Sequence, residues 1–122
     1  MYKKIALILA ICYSIVLTIF SLIAIKQLPK LGSNYDDKIF HVFAYSVFVL
    51  IWYLALHSKK ARNQIFIIAL CSIIYGIILE VLQGQVTLER HLDLFDILAN
   101  CIGVAIASLF LVIKNRVIVK NL

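Results

Sequence analysis

What the sequence has little of narrows its class before any motif is read. Its 122 residues hold six acidic side chains against twelve lysines and arginines, three cysteines and one proline, Pro29. Cys12, Cys71 and Cys101 sit in separate apolar stretches with no metal-ligand spacing. A disulfide framework or cysteine zinc site is therefore not expected, and each thiol reads as a small buried hydrophobe. No G-x-S-x-G, P-loop, H-E-x-x-H or dinucleotide fingerprint occurs, which removes the familiar soluble-enzyme chemistries. Nor is there an internal repeat, a low-complexity tract or a composition break, so one domain over residues 1–122 is expected. The first apolar run far exceeds a usual signal-peptide core and no A-x-A cleavage site follows it. It is expected to remain as a helix.

What the chain does have is hydrophobicity. Its apolar fraction is 64% and its mean hydropathy +1.03, whereas soluble domains are about half apolar. Four runs carry the excess: Ile5–Ile25, Phe40–Leu56, Ile65–Leu82 and Ile97–Ile113. A spanning helix needs roughly 20 mostly apolar residues, with about 17 as the lower end. In lipid only helices and closed barrels satisfy the backbone. These runs lack the strict apolar–polar alternation of barrel strands and are too long for them. The expectation is an all-α integral membrane protein, a bundle of four transmembrane helices at about 5–25, 40–56, 65–82 and 97–113. The short basic segment 57–64 should make the second and third helices antiparallel neighbours. Gly84 is a natural C-cap for the third helix, and Asp93 or Asp96 suits the first turn of the fourth.

Charge is segregated along the spans. The acids, Asp36, Asp37, Glu80, Glu89, Asp93 and Asp96, all fall at one end of the apolar runs. Eight basic residues lie at the other end: Lys3, Lys4, Lys59, Lys60, Arg62, Lys114, Arg116 and Lys120. Only four, Lys26, Lys30, Lys38 and Arg90, share the acidic end. The positive-inside rule then puts both termini in the cytoplasm and the acidic end outside. Basic loops facing anionic lipid account for the net charge of +6, so the bilayer is the expected partner and no nucleic acid is needed.

The polar residues of the acidic end are not scattered. Asp37, His41 and Tyr45 follow i, i+4, i+8 spacing and line one side of the second helix. Gly76, Glu80 and Gln83 do the same on the third, and Asp93, Asp96, Asn100, Gly103 and Ala107 form a stripe on the fourth. An ionisable group within a span costs about 2.5–3.5 kcal/mol on insertion scales, so such groups turn inward and pair. Glu80 needs a partner most, and Lys38, His41 and Arg90 are its candidates. Asn100, Gly103 and Ala107 read most simply as a packing face of small residues with one cross-helix amide. Asp93 and Asp96 read equally well as helix caps or as functional acids. His57 and His91 read as loop residues.

Three ordered blocks carry a family resemblance: Asp37-Lys38-x-x-His41-x-x-x-Tyr45, Tyr75-Gly76-x-x-x-Glu80-x-x-Gln83, and Arg90-x-x-Asp93-x-x-Asp96-x-x-x-Asn100-x-x-Gly103. From about Asp37 to Gly103 the chain resembles the VanZ-like family, small bacterial membrane proteins named for a teicoplanin-resistance factor. It departs at Ala107, where glycine is common, and before Arg90, where neither proline nor glycine stands. The resemblance implies a cell-envelope role in the bacterial cytoplasmic membrane and supplies no reaction. Three classes stay open. A binding factor would meet an envelope lipid or peptidoglycan-precursor headgroup, or a partner protein, through Asp37, Lys38, His41, Tyr45, Glu80, Gln83, Arg90, Asp93 and Asp96. A membrane-embedded enzyme acting on a lipid-linked phosphate has His41, Glu80 and Asp96 as its catalytic candidates, with His41 and Glu80 as an acid–base pair or as ligands of a divalent metal together with Asp37, Asp93 or Asp96. A proton-relaying transporter ranks last, because the inner halves of the spans are almost wholly apolar.

Overall fold

The computed structural model describes residues 2–22, 36–57, 63–86 and 94–120; at 36, 37, 84, 86 and 118–120 it describes the backbone alone. They form four helices: α1 (Tyr2–Leu22), α2 (Asp36–Leu56), α3 (Gln64–Val86) and α4 (Leu94–Lys120). At 1.5 Å per residue these rods of 21, 21, 23 and 27 residues are about 31–41 Å long, enough to cross a hydrocarbon core of about 30 Å. Each is long and apolar enough to span a membrane, yet only 17–39% of each span is buried within the bundle. The remaining surface exposes Phe20, Phe43, Phe66, Phe95 and Leu109, among others, which water would not tolerate on that scale.

The helices outrun the apolar stretches that signalled them. α2 begins at Asp36, α4 begins at Leu94 and extends to Lys120, and Asp96 lies in the first turn of α4. Asp96, in that first turn, meets the positive end of the helix dipole. Gly84 does not end α3, which continues to Val86. A glycine permits a helix stop without imposing one. At the other end of α3, Asn63 takes a left-handed φ of 61°, which asparagine tolerates better than most residues. Its carbonyl accepts the Ile67 N–H at 3.0 Å, opening the helix. Gln64 Nε2 donates to the Leu56 carbonyl at 2.9 Å and draws α2 and α3 together across the hairpin.

α2 touches all three other helices, α3 does likewise, and α1 and α4 do not meet among the described residues. α2 and α3 run antiparallel, with Phe48 stacked on Tyr75 at 5.0 Å. α2 and α4 run parallel, with Tyr45, Val49, Tyr53, Val104, Ala107 and Leu111 in one core cluster. Ala6, Ala10 and Ala55 let α1 and α2 approach closely. Gly103 is the tightest contact of α4, because a Cβ there would stand 2.3 Å from the Val42 carbonyl oxygen. The Asn100–Gly103–Ala107 stripe thus does pack inward.

Between α1, α2 and α3 runs a seam of neutral polar groups. Ser14 Oγ accepts from Trp52 Nε1 at 3.0 Å, Tyr75 Oη donates to the Ser14 carbonyl at 2.9 Å, and Thr18 meets the Tyr75 hydroxyl. Tyr13 Oη donates to the Ala44 carbonyl at 2.6 Å. Toward the hairpin end of the bundle, Asn115 Nδ2 donates to Tyr53 Oη at 3.0 Å. The cysteines correct another expectation. Cys12 and Cys71 are exposed and Cys101 is half-buried, all three free. The outer face of this bundle is as apolar as its core, so a thiol need not be inside to avoid water.

Candidate functional site

The N-terminal ends of α2 and α4 and the C-terminal ends of α1 and α3 meet at one end of the bundle. There, α2 contributes Lys38 and, three residues on, His41, which share a helix face. α3 contributes Glu80, and α4 contributes Asp96 with Asn100 one turn further. Lys38 Nζ donates to Asp96 Oδ1 at 2.5 Å. The imidazole of His41 lies between the carboxylates, with Nδ1 3.8 Å from Glu80 Oε1 and Nε2 3.9 Å from Asp96 Oδ2. Asn100 Oδ1 is 2.8 Å from His41 Nδ1. An amide oxygen only accepts, so Nδ1 carries the proton and Nε2 is turned to Asp96.

Glu80 and Asp96 are 2% and 3% exposed, so both carboxylates lie almost wholly inside the protein. Unpaired charge at that depth would be strongly disfavoured. Among the described residues, compensation comes from Lys38, whose side chain keeps 27% of its exposure, and from His41 at 10%. With a neutral imidazole the cluster carries two negative charges against one positive. His41, Glu80 and Asp96 are the described residues that could hold a metal.

Not every expected site residue joins this group. Tyr45 is a wall: it belongs to the core cluster, and a Cβ on Gly76 would lie 3.1 Å from its ring. Gln83 is drawn toward α1, where its Nε2 donates to the Ser21 carbonyl and ties the two helices. Both are expected from the sequence to face a ligand; the structure places Tyr45 in the core beside Gly76 and ties Gln83 to α1. The Asp37 side chain, Arg90 and Asp93 lie outside the described residues. Asn100, expected as a cross-helix amide in a packing face, is 2% exposed and takes His41 as its partner, which the sequence does not identify. Its i+4 spacing from Asp96 was the available signal. Ser46 went unnoticed. Its Oγ lies 2.8 Å from the Val42 carbonyl and 2.9 Å from that of Gly103, joining α2 to α4 just below the cluster.

An apolar groove of about 770 Å³ opens between α2 and α4 on the outer flank. Val42, Phe43, Leu98 and Ile102 line it, and Lys38 stands at its polar end.

No protein-family model matches the chain, and no solved structure does. Among curated proteins it is similar to an uncharacterized protein of Schizosaccharomyces pombe. The two are 30% identical over 88 residues, covering 72% of this chain and 54% of that protein. The chain therefore spans about half the length of the curated relative it matches.

Proposed function

We propose that the chain is a multi-pass protein of VanZ-like type in the bacterial cytoplasmic membrane. Both termini face the cytoplasm, and the Lys38–His41–Glu80–Asp96 end faces outward. Its role is in the cell envelope, where it binds the anionic headgroup of an envelope lipid or peptidoglycan precursor and in this way contributes to glycopeptide tolerance. The observation that carries the lipid reading is the α2/α4 groove, whose apolar walls end at the ammonium of Lys38. An acyl chain suits the walls, and phosphate or carboxylate suits the ammonium. The bias of eight basic residues to four supports the orientation.

A second reading is favoured by the placement of His41 between two buried carboxylates, an arrangement able to move a proton. Under it the protein is an enzyme acting on a lipid-linked phosphate. Turnover of such a substrate by purified protein in nanodiscs separates the two readings.

Orientation is tested by labelling single cysteines introduced at Asn34 and Ser58, both outside the described residues, in a cysteine-free background. The first should react from outside, the second only after permeabilisation; the reverse pattern would sink the orientation. For the site, Glu80→Gln and His41→Ala should abolish the tolerance phenotype with membrane insertion intact, whereas Lys59→Ala should leave both unchanged. Full tolerance with Glu80→Gln would remove the cluster from the function.

A further inference from the structure

We propose that His41, Glu80 and Asp96 form a binding site for one divalent transition-metal ion of the Zn2+ class, with Asn100 orienting the imidazole. The site rests on the geometry of the cluster and not on the lipid reading.

One ligand atom from each of the three residues lies within 4.8 Å of the others. The three come from α2, α3 and α4, so the packing of three helices, rather than a loop, brings them together. The donor set is one imidazole and two carboxylates, which suits zinc or manganese better than a thiolate-loving or purely oxygen-loving ion. Three protein ligands leave a coordination position for water or a further ligand, as in catalytic rather than structural zinc sites.

Asn100 makes the arrangement more than a collection of charges. Metal-bound histidines nearly always donate their second ring N–H to an oxygen, which fixes the tautomer and the ring plane. Asn100 Oδ1 accepts from Nδ1 at 2.8 Å and is itself buried. The lone pair of Nε2 then faces Asp96 Oδ2 across 3.9 Å. A cation between them would meet both acceptors. Zinc bonds to nitrogen and to carboxylate oxygen are each about 2.0–2.2 Å, so an ion placed between these atoms reaches both once the side chains close in by a few tenths of an ångström. Lys38 holds the other oxygen of Asp96 and keeps that carboxylate turned. With a neutral imidazole, the net charge of the four groups moves from −1 to +1 when a divalent ion enters.

The rival arrangement is an imidazolium whose Nε2–H points at Asp96. Metal titration decides between them. The full chain, purified in detergent and stripped with chelator, is titrated with Co2+ and then with Zn2+. One equivalent of Co2+ should give visible ligand-field bands without sulfur charge transfer, and Zn2+ should displace it. His41→Ala, Glu80→Gln and Asp96→Asn should each weaken binding at least about 100-fold, and Asn100→Ala roughly 10- to 100-fold. Circular dichroism identifies any variant that has lost its helices. Should all of them lose helicity, X-ray absorption at the zinc edge of the parent takes over, and one imidazole with oxygen donors is the expected shell. Substoichiometric uptake by the parent, a shell without imidazole, or affinity unchanged in a folded His41→Ala overturns the metal and leaves the imidazolium. Retention of anionic phospholipid by the metal-free parent is measured on the same preparation, so the lipid reading stands or falls separately.

Discussion

Replacing Gly103 by alanine places one methyl group where α4 comes closest to α2. The new Cβ would stand 2.3 Å from the Val42 carbonyl oxygen and 3.0 Å from its carbon. Both are main-chain atoms of a hydrogen-bonded helix, so no side chain can swing aside. Ordinary contact begins at 3.4 Å, and the helices must part locally by about 1 Å. Overpacking of this kind costs about 1–3 kcal/mol. Separation also stretches the Ser46 link between the Val42 and Gly103 carbonyls, a further ~0.5–1.5 kcal/mol. Alanine's better helix propensity returns at most about 1 kcal/mol. The expected net loss is therefore about 1–3 kcal/mol. Reversible unfolding in mixed detergent micelles, followed by Trp52 emission, measures it. Gly76→Ala is the internal comparison. Its Cβ would meet Asn100 Nδ2 at 3.0 Å and the Tyr45 ring at 3.1 Å, side-chain atoms able to yield a few tenths of an ångström. It should cost less. An unchanged midpoint for Gly103→Ala, or a larger loss at Gly76, would refute the account of how α4 docks.

Two further outcomes are expected. Lys38→Ala should destabilise the protein by about 1–3 kcal/mol by stripping a charge-assisted bond from a buried carboxylate, and Asp96→Asn in the same chain should recover part of that loss. A double-mutant cycle gives the coupling, and a value near zero would mean the pair does not hold α2 to α4. Ser14→Ala removes the acceptor of the only tryptophan's N–H, so Trp52 emission should move to the blue; an unshifted spectrum would place the indole elsewhere.

The sequence made the helices legible because four long apolar runs leave few other ways to satisfy a backbone. It also showed one end of the bundle to be special, because every acid falls there. Spacing along each helix brought out His41, Glu80 and Asp96, and the hairpin made α2 and α3 antiparallel neighbours. Relations between helices were harder to read. Whether Gln83 turns toward α1 or α4 depends on rotation about the α3 axis, and in a helix apolar on nearly all sides no pattern fixes that rotation. Asn100 shows the same limit: an amide among small residues reads as packing until the imidazole it bonds is placed beside it. The Ser14–Thr18–Tyr75 seam escaped notice because hydroxyls that bond to carbonyls a turn away interrupt hydropathy very little. The exposed thiols could not be foreseen from a rule that equates apolar with interior.

Contact between α2 and α3, with α1 and α4 apart, gives the bundle a rhombic cross-section whose short diagonal is closed by side chains. Among the described residues such a section leaves no axial channel; it is two triangular prisms fused along the α2–α3 wall. Among the described residues, the prism completed by α1 holds neutral groups, Ser14, Thr18, Trp52 and Tyr75 with them. The prism completed by α4 holds the ionised ones, Lys38, Glu80 and Asp96, with His41 and Asn100. α1 therefore acts as a buttress, bracing the shared wall through Tyr13 and Gln83 while contributing no side chain to the ionised cluster among the described residues. Substitutions on the outer flank of α1 should be absorbed with little effect at the cluster. Equal substitutions on α4 would reach it directly, so the two halves of one small bundle are under unequal constraint.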